Sequence, residues 1–199
     1  MRIILVFLLT LVSLVLFSCK KDSTGPSSNG APISASIIDI SHNGTLGYTF
    51  GLKPSDQYKR FETFVTDSAH LNLTGIDVKI RRNDSTSTYN SVVASLYRVD
   101  TISSMPTDSL ASVSFAVTAL KDTFTVVNIP FAYHGLSAGK GYAIVLSQVT
   151  SPAVTNPGFE WCTKSVSTRY YFGKYEGGHW VNESGLGDGW MIVYLNNVN

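Results

Sequence analysis

HLNLTGIDVKIRR, residues 70–82, is the stretch that decides the fold. Leu71 and Leu73 occupy odd-numbered positions, whereas Ile76, Val78 and Ile80 occupy even-numbered positions. Alternate side chains of a β-strand point to opposite faces, so the pattern predicts a strand whose phase changes in the middle. Gly75 lies at the change, where a β-bulge would shift the register.

Short alternating segments recur through the rest of the chain. Residues 111–118 alternate apolar with small polar side chains, and the pairs at 43–44 and 177–178 are typical of turns. From residue 33 onward no segment has the period of an amphipathic helix. We therefore predict one all-β domain over residues 33–199, a two-sheet antiparallel β-sandwich of jelly-roll-like character.

The N-terminal segment has a different composition from this domain. After Arg2, the fifteen residues 3–17 carry no charge. A membrane-spanning helix needs about twenty apolar residues, so this shorter run indicates a signal peptide over residues 1–18, with a retained membrane anchor as the alternative. Leu16-Phe17-Ser18-Cys19 resembles the lipobox of bacterial lipoproteins, which has a leucine three positions before the cysteine and a small residue directly before it.

The lipobox resemblance implies that the thiol of Cys19 is acylated and that the protein is held to a membrane through this N-terminal lipid anchor. Lys20-Lys21-Asp22 resembles the charged signals that send some lipoproteins to the outer surface of the cell. Residues 23–32 are small, polar and turn-forming, so we predict that residues 19–32 form a lipid-anchored flexible tether. We expect an exported protein, anchored to the bacterial cell envelope at the outer membrane and facing outward.

Charge and cysteine content exclude several classes of function. Residues 1–32 contain three of the 15 basic residues and one of the 14 acidic ones, which leaves twelve basic against thirteen acidic residues in the domain. A nearly neutral domain without a basic cluster argues against nucleic acid as a partner. The domain contains no second cysteine that could pair with Cys162, and no dedicated base lies near it in sequence. We therefore expect the Cys162 side chain to be buried and to pack as a small hydrophobic group. The four histidines are scattered, and we expect no metal and no cofactor.

Residues 135–139 fit G-x-S-x-G, the nucleophile elbow of serine hydrolases. An elbow needs a helix directly after the serine, whereas Gly141 and the strand-like run Tyr-Ala-Ile-Val-Leu follow here. Ser137 is therefore predicted to be a turn residue. Ser137, Glu160 and His179 follow the chain order of a catalytic triad, but this order is the single feature that supports a triad.

Residues 47–161 contain an ordered series of aromatic, strand-like and turn segments. These are GYTF (47–50), FETFVT (61–66), LTGIDVKI (73–80), ASLYRV (94–99), MPTDSLASVSF (105–115), LSAGKGYAIVLS (136–147) and Trp161. In this order they resemble exported β-sandwich modules of the choice-of-anchor R family. The resemblance implies a β-sandwich on a surface-anchored protein and no enzymatic activity, and it carries no catalytic residues to this chain.

The C-terminal third contains all three tryptophans and many other aromatic residues. Strand alternation directs roughly half of such side chains into the core. Tyr175 and Trp180 flank the predicted Gly177-Gly178 turn, where aromatic rings can stack on sugar rings while polar neighbours bind the hydroxyl groups. The alternative is that the aromatic residues close one end of the core. The candidate ligand-binding residues are Trp180, Tyr175, Trp161, Tyr171 and Trp190.

These observations predict a non-catalytic module that binds a glycan or another extracellular ligand. A structural or adhesion module with surface-protein partners is the first alternative. A polysaccharide hydrolase is the second, because Glu160, Glu176 and Glu183 are carboxylates that the fold can bring together. Asp188, in GLGDGW, is the residue that a loop would offer to calcium, with a plain glycine turn as the alternative.

The anchoring hypothesis is tested by replacing Cys19 with alanine. Thioether attachment needs the thiol, so Cys19→Ala should remain unprocessed or be released from the membrane. Incorporation of radiolabelled palmitate and membrane fractionation measure this, with Cys162→Ala as the control that should stay acylated. A Cys19→Ala protein that still incorporates the fatty acid contradicts the hypothesis.

Overall fold

The computed structural model describes residues 35–53, 56–83, 91–118, 120–148, 158–165, 170–183, 185 and 187–197. The predicted signal peptide, Cys19 and the tether up to residue 32 lie outside the described residues. In the described ranges, no helix has the length and apolar character needed to cross a membrane.

Twelve β-strands form the described part of the chain, and every pairing between them is antiparallel. The strands are β1 Ala35–Asp39, β2 Leu46–Lys53, β3 Asp56–Val65, β4 Asn72–Arg82, β5 Ser91–Val99, β6 Pro106–Ala116, β7 Thr125–His134, β8 Gly141–Gln148, β9 Phe159–Thr163, β10 Phe172–Glu176, β11 His179–Asn182 and β12 Met191–Asn196.

The strands make one continuous sheet that curls until its two halves face each other. The first layer runs β1-β12-β4-β7, with β9 pairing the end of β4. The second layer runs β11-β10-β3-β8-β5-β6. The two layers join at β2, whose first half pairs with β9 and whose second half pairs with β3. The prediction of an all-β antiparallel sandwich is confirmed.

The phase change predicted in the first core strand is also confirmed. The register of β4 shifts between Leu73 and Gly75 against both β12 and β7, and both pairings skip Thr74. The strand therefore keeps Leu73 and Ile76 in the core despite their opposite parity, because Thr74 is the extra residue of a bulge.

Trp161 lies in the core between the two layers and is fully buried. Its ring, on β9 of the first layer, meets Phe172, on β10 of the second layer, edge-on at 5.9 Å and 79°. Its indole nitrogen donates a hydrogen bond to the Trp190 carbonyl at 2.9 Å. Gly189 leaves room for both rings, since a Cβ there would lie 3.1 Å from each. Trp161 thus connects both layers to the segment that leads into β12.

Cys162 points away from Trp161 and is fully buried, as predicted for a small hydrophobe. Its Sγ donates to the Gly44 carbonyl at 3.1 Å, and burial raises the pKa of the thiol. A thiol with a raised pKa carries little thiolate at neutral pH, so Cys162 is a packing residue.

Candidate ligand-binding surface

The β10–β11 hairpin carries the aromatic pair that the sequence places around two glycines. Gly177 and Gly178 form its turn with φ values of 61° and 85°. Positive φ at both central positions is the type I′ pattern, which glycine adopts without strain. Tyr175 and Trp180 are register partners across the hairpin, so the turn brings the two rings to the same face.

Four aromatic rings meet on the outer face of the second layer, and we call Phe61, Tyr97, Tyr175 and Trp180 the aromatic surface. The Trp180 ring centroid lies 5.4 Å from that of Phe61, 5.9 Å from Tyr97 and 4.9 Å from Tyr175, with interplanar angles of 88°, 76° and 66°. Edge-to-face contacts at these separations are the favoured aromatic geometry. They fix the orientation of the Trp180 ring.

The aromatic surface is a satellite cluster outside the main core. Phe61, Ala143 and Val145 form its buried base, and Trp180 and Tyr97 pack on them while remaining partly exposed. Gly173 makes the arrangement possible, because a side chain there would collide with the Val181 carbonyl and the Phe61 ring. Trp180 therefore contributes both to packing and to the solvent-facing surface.

The other predicted aromatic residues lie elsewhere. Tyr171, just before β10, is 42% exposed, and its backbone N–H donates to the Thr63 hydroxyl at 2.8 Å. Trp190 is partly buried in the first layer, where its backbone bonds to Lys79 and Cys162. Neither ring contributes to the contacts that define the aromatic surface.

The prediction that Trp161 contacts a ligand is wrong. Its ring is 0% exposed, so it offers no face to a ligand. The reason is the parity of β9, which turns Phe159, Trp161 and Thr163 inward, and every residue of that strand is buried. Conversely, Phe61 and Tyr97 were not predicted for this surface, because they lie on β3 and β5 and no local sequence pattern shows that the hairpin meets those strands.

The three glutamates considered for hydrolysis lie in two separate places. Glu176 and Glu183 both bind the Lys174 ammonium, at 2.9 and 3.1 Å, and these bonds, that of Glu176 foremost, raise the pKa of Lys174. Glu183 also pairs with the buried Arg60. Glu160 lies in the first layer, where Arg81 binds its carboxylate at 2.6 Å. Each carboxylate is thus paired with a cation.

Ser137 lies in a turn, as predicted. Its carbonyl accepts a hydrogen bond from the Thr66 hydroxyl at 2.6 Å, and its backbone N–H donates to the Tyr142 hydroxyl at 2.8 Å. The strand β8 begins at Gly141, where an elbow would require a helix. Of its proposed partners, Glu160 is bound by Arg81 and the ring of His179 contacts the Gly177 carbonyl.

Asp188, the residue considered for calcium, is 1% exposed and bound by an amine. The Lys164 ammonium lies 2.9 Å from Asp188 Oδ2, so a cation already neutralises this carboxylate. The part of the chain that the structure describes contains no group of three histidine, cysteine, aspartate or glutamate side chains arranged to hold a metal ion.

A second acid, Glu62, lies beside Asp188 in the interior and is fully buried. Its Oε2 accepts a hydrogen bond from the Gly189 backbone N–H at 2.7 Å, whereas its Oε1 has no partner among the described residues. Burial raises the pKa of Glu62 well above 4.5, and the nearby Asp188 charge raises it further. The fold therefore favours the protonated, neutral form of this carboxyl.

This burial makes the free energy of unfolding depend on pH in a direction that can be tested. Because the folded pKa of Glu62 exceeds its ordinary value of 4.5, the folded state binds the extra proton, and stability falls as the pH rises from 4.5 towards the folded pKa. Glu62→Gln, uncharged and of the same shape, should remove this decline and be more stable than the wild type at the alkaline end. Urea unfolding across this pH range measures the difference.

The exposed acid Asp108 supplies the control: Asp108→Asn also removes one carboxyl group but leaves Glu62 in place, so the decline attributed to Glu62 should remain. Acids with lowered pKa values, such as Asp67 at about 2, change the free energy of unfolding of the wild type and of both variants equally. Their contribution therefore cancels when the pH profiles are compared. Parallel profiles for the wild type and Glu62→Gln would show that Glu62 does not hold a proton in the folded state.

No family model matches the chain, and no curated protein matches it. Among solved structures, it is similar to a chain of "Structure of infectious bursal disease virus Gx strain", with a TM-score of 0.38 and 7% sequence identity. The alignment covers 85% of this chain and 38% of the viral chain, so the present chain spans less than half the length of that protein. At this TM-score the likeness carries no argument about function.

Proposed function

We propose that the protein is an exported, lipid-anchored and non-catalytic module that binds a glycan on its aromatic surface. One observation supports this most: Trp180 and Tyr175 lie 4.9 Å apart and partly exposed on an outer face of the sandwich. A core role alone would not require them to face solvent.

The chemistry of this surface suits a sugar. The apolar C–H faces of a sugar ring stack on aromatic rings, and its hydroxyl groups need hydrogen-bonding neighbours. Lys59 lies over the Tyr175 ring at 5.1 Å, and Asn182 is exposed on the same hairpin. Nothing lies within 4 Å of the position that a Gly178 side chain would take, which leaves the approach to the turn open.

The rigidity of the rings also supports binding. Edge-to-face contacts with Phe61 and Tyr97 hold Trp180 in one orientation before any ligand arrives. A preorganised side chain loses less conformational entropy on binding, so a small contact area gives a useful affinity.

The anchor gives this surface its proposed location. Acylation of Cys19 would place the domain on a tether at the outer membrane, facing outward, where it would meet extracellular polysaccharide. The segments that resemble choice-of-anchor R domains contribute residues to β2, β3, β4, β5, β6, β8 and β9, and that family is found on surface-anchored proteins.

A second function, a structural or adhesion module with surface-protein partners, is favoured by a different observation. Trp180 packs on Phe61, Ala143 and Val145, so part of its contribution is to stability. If packing is its whole role, the aromatic surface needs no ligand.

Substitutions that keep the packing but remove the aromatic face separate the two functions. We expect the wild type to bind a neutral oligosaccharide with a Kd on the order of micromolar to millimolar, about −8 to −4 kcal/mol. Trp180→Leu and Tyr175→Leu should weaken binding about tenfold, or about 1.4 kcal/mol, because leucine has no flat face to stack. Calorimetric titration after screening on a glycan array measures this.

Tyr171→Leu is the matched control, since Tyr171 is exposed but lies outside the aromatic surface. Its affinity should equal that of the wild type. If Trp180→Leu retains full affinity and only its melting temperature falls, the structural alternative is correct at this residue. An array on which the wild type binds no glycan overturns the proposed function.

A further inference from the structure

Strand register defines the end of the sandwich at which the chain enters the domain. Ala35 begins β1 and is the partner of Asn196, the last residue of β12. Asn196 pairs with Asn72, the first residue of β4, and Asn72 pairs with His134, the last residue of β7. In the first layer, β1 and β4 therefore begin where β7 and β12 end, and we call this end of the sandwich the tether end.

Two connections link the tether end of the first layer to the second layer. Residues 66–71 join the end of β3 to the start of β4, and residues 135–140 join the end of β7 to the start of β8. The two connections bind each other, since the Leu136 N–H donates to the Leu71 carbonyl at 2.9 Å. The tether end is therefore one continuous surface that belongs to both layers.

The β5–β6 loop, residues 100–105, also lies at the tether end. β5 pairs antiparallel with β8, and it ends where β8 begins. Ile102 in this loop is 94% exposed, against 42–59% for the other exposed large apolar side chains of the described residues. It therefore offers almost its whole side chain to whatever lies beyond this end.

Hydrogen bonds to Asp100 fix the β5–β6 loop. Asp100 Oδ1 accepts from the backbone N–H groups of Ile102 and Ser103, at 3.0 and 2.6 Å. The Ser104 N–H donates to the Asp100 carbonyl at 2.9 Å, and Ser104 has a φ of 59°, which is uncommon for a residue other than glycine. These bonds use the backbone of Ile102, so they would hold the loop equally well with a polar side chain there.

Other apolar residues lie along the second layer at the same end. Val65, the last residue of β3, is 50% exposed and is the register partner of Gly141, the first residue of β8. A Cβ on Gly141 would lie 3.4 Å from the Val99 side chain at the end of β5. Val65, Val99 and Ile102 thus form an apolar margin of the tether end, which we call the apolar rim.

The charges at the tether end have both signs. The charged side chains near the apolar rim include Arg98, Lys140, Asp67, Asp100 and Asp108. The carboxylates of Asp67 and Asp100 accept hydrogen bonds from backbone N–H groups of their own loops. An end with mixed charge does not select an anionic partner, so apolar contact is the main interaction that it offers.

We propose that the apolar rim contacts the lipid bilayer that holds the Cys19 anchor, with the Ile102 side chain inserted into the bilayer surface. This inference rests on the proposed function, in which Cys19 is acylated. Residues 19–34, sixteen in number, reach at most about 55 Å, so the tether end stays close to the bilayer. The contact is then intramolecular, and a small apolar area is enough to maintain it.

This contact would orient the aromatic surface away from the membrane. Tyr175 on β10 pairs with Lys59 near the start of β3, and β3 runs from there towards the tether end. The Gly177-Gly178 turn follows β10 in the opposite direction, so it lies towards the far end of the sandwich. Docking of the apolar rim would therefore keep the proposed glycan site facing outward, which a tether alone would not do.

The test uses the full-length, acylated protein reconstituted into vesicles of phosphatidylcholine and phosphatidylethanolamine. A nitrobenzoxadiazole label on Thr101→Cys, in a Cys162→Ala background, reports contact with lipid through quenching by nitroxide groups on the acyl chains. We expect this label to be quenched, and Ile102→Ser should reduce the quenching about threefold because serine loses the apolar contact. Ile102→Leu keeps an apolar side chain and should retain the quenching.

Val126→Ser is the matched control, because Val126 is 48% exposed on β7 of the first layer, outside the apolar rim, and its replacement should leave the quenching unchanged. The same label on His179→Cys, which is exposed beside the far-end turn, should not be quenched. An unquenched label at Thr101, or quenching that Ile102→Ser does not reduce, overturns the rim contact alone if the protein still floats with the vesicles. Protein that does not float with the vesicles overturns the proposed anchor as well.

Discussion

The contact between Trp161 and Phe172 is the constraint on which the rest of the structure depends. It joins β9 of the first layer to β10 of the second inside the core, and the indole hydrogen bond to Trp190 adds the segment that leads into β12. With Phe172 turned inward, strand alternation turns Gly173 outward. The Phe61 ring then lies over Gly173, and Trp180 packs on Phe61. The outward position of Trp180 is thus coupled, through the alternation of β10 and its pairing with β11, to the inward position of Phe172.

The same junction carries a fully buried carboxyl group. Glu62 shares β3 with Phe61 but faces inward, and the Gly189 backbone N–H is its hydrogen-bond donor. A buried carboxyl with one bonded oxygen destabilises the fold unless it keeps its proton. Arg60, also buried on β3, is compensated differently: it pairs with Glu183, donates to the Thr49 carbonyl at 2.9 Å and lies over nearby aromatic rings. The fold therefore accommodates these two interior side chains differently, Glu62 by favouring its protonated form and Arg60 by an ion pair.

Short sequence patterns correctly predicted strand alternation, a β-bulge and a turn. The alternation of residues 111–116 appears on β6, the phase change of β4 is the bulge at Thr74, and Ser137 lies in a turn. The parity that buries Trp161 was not predictable, because β9 is buried on both faces and has no alternation to indicate its inner side. The aromatic surface combines residues from positions 61 to 180, and only the pairing of β3, β5, β8, β10 and β11 brings them together. Long-range register is set by packing of the whole sandwich, which short windows of sequence do not encode.

Hydrogen exchange of the three tryptophan indole N–H groups, followed by NMR and assigned with single tryptophan-to-phenylalanine variants, tests this account most directly. Trp161 is fully buried and its indole nitrogen is hydrogen-bonded, so its N–H should exchange only when the two layers separate. Trp180 is partly exposed on the outer face, so its N–H should exchange much faster, without unfolding of the core. Equal protection of the two indoles, or faster exchange at Trp161, would contradict the claim that Trp161 locks the layers and leaves Trp180 outside.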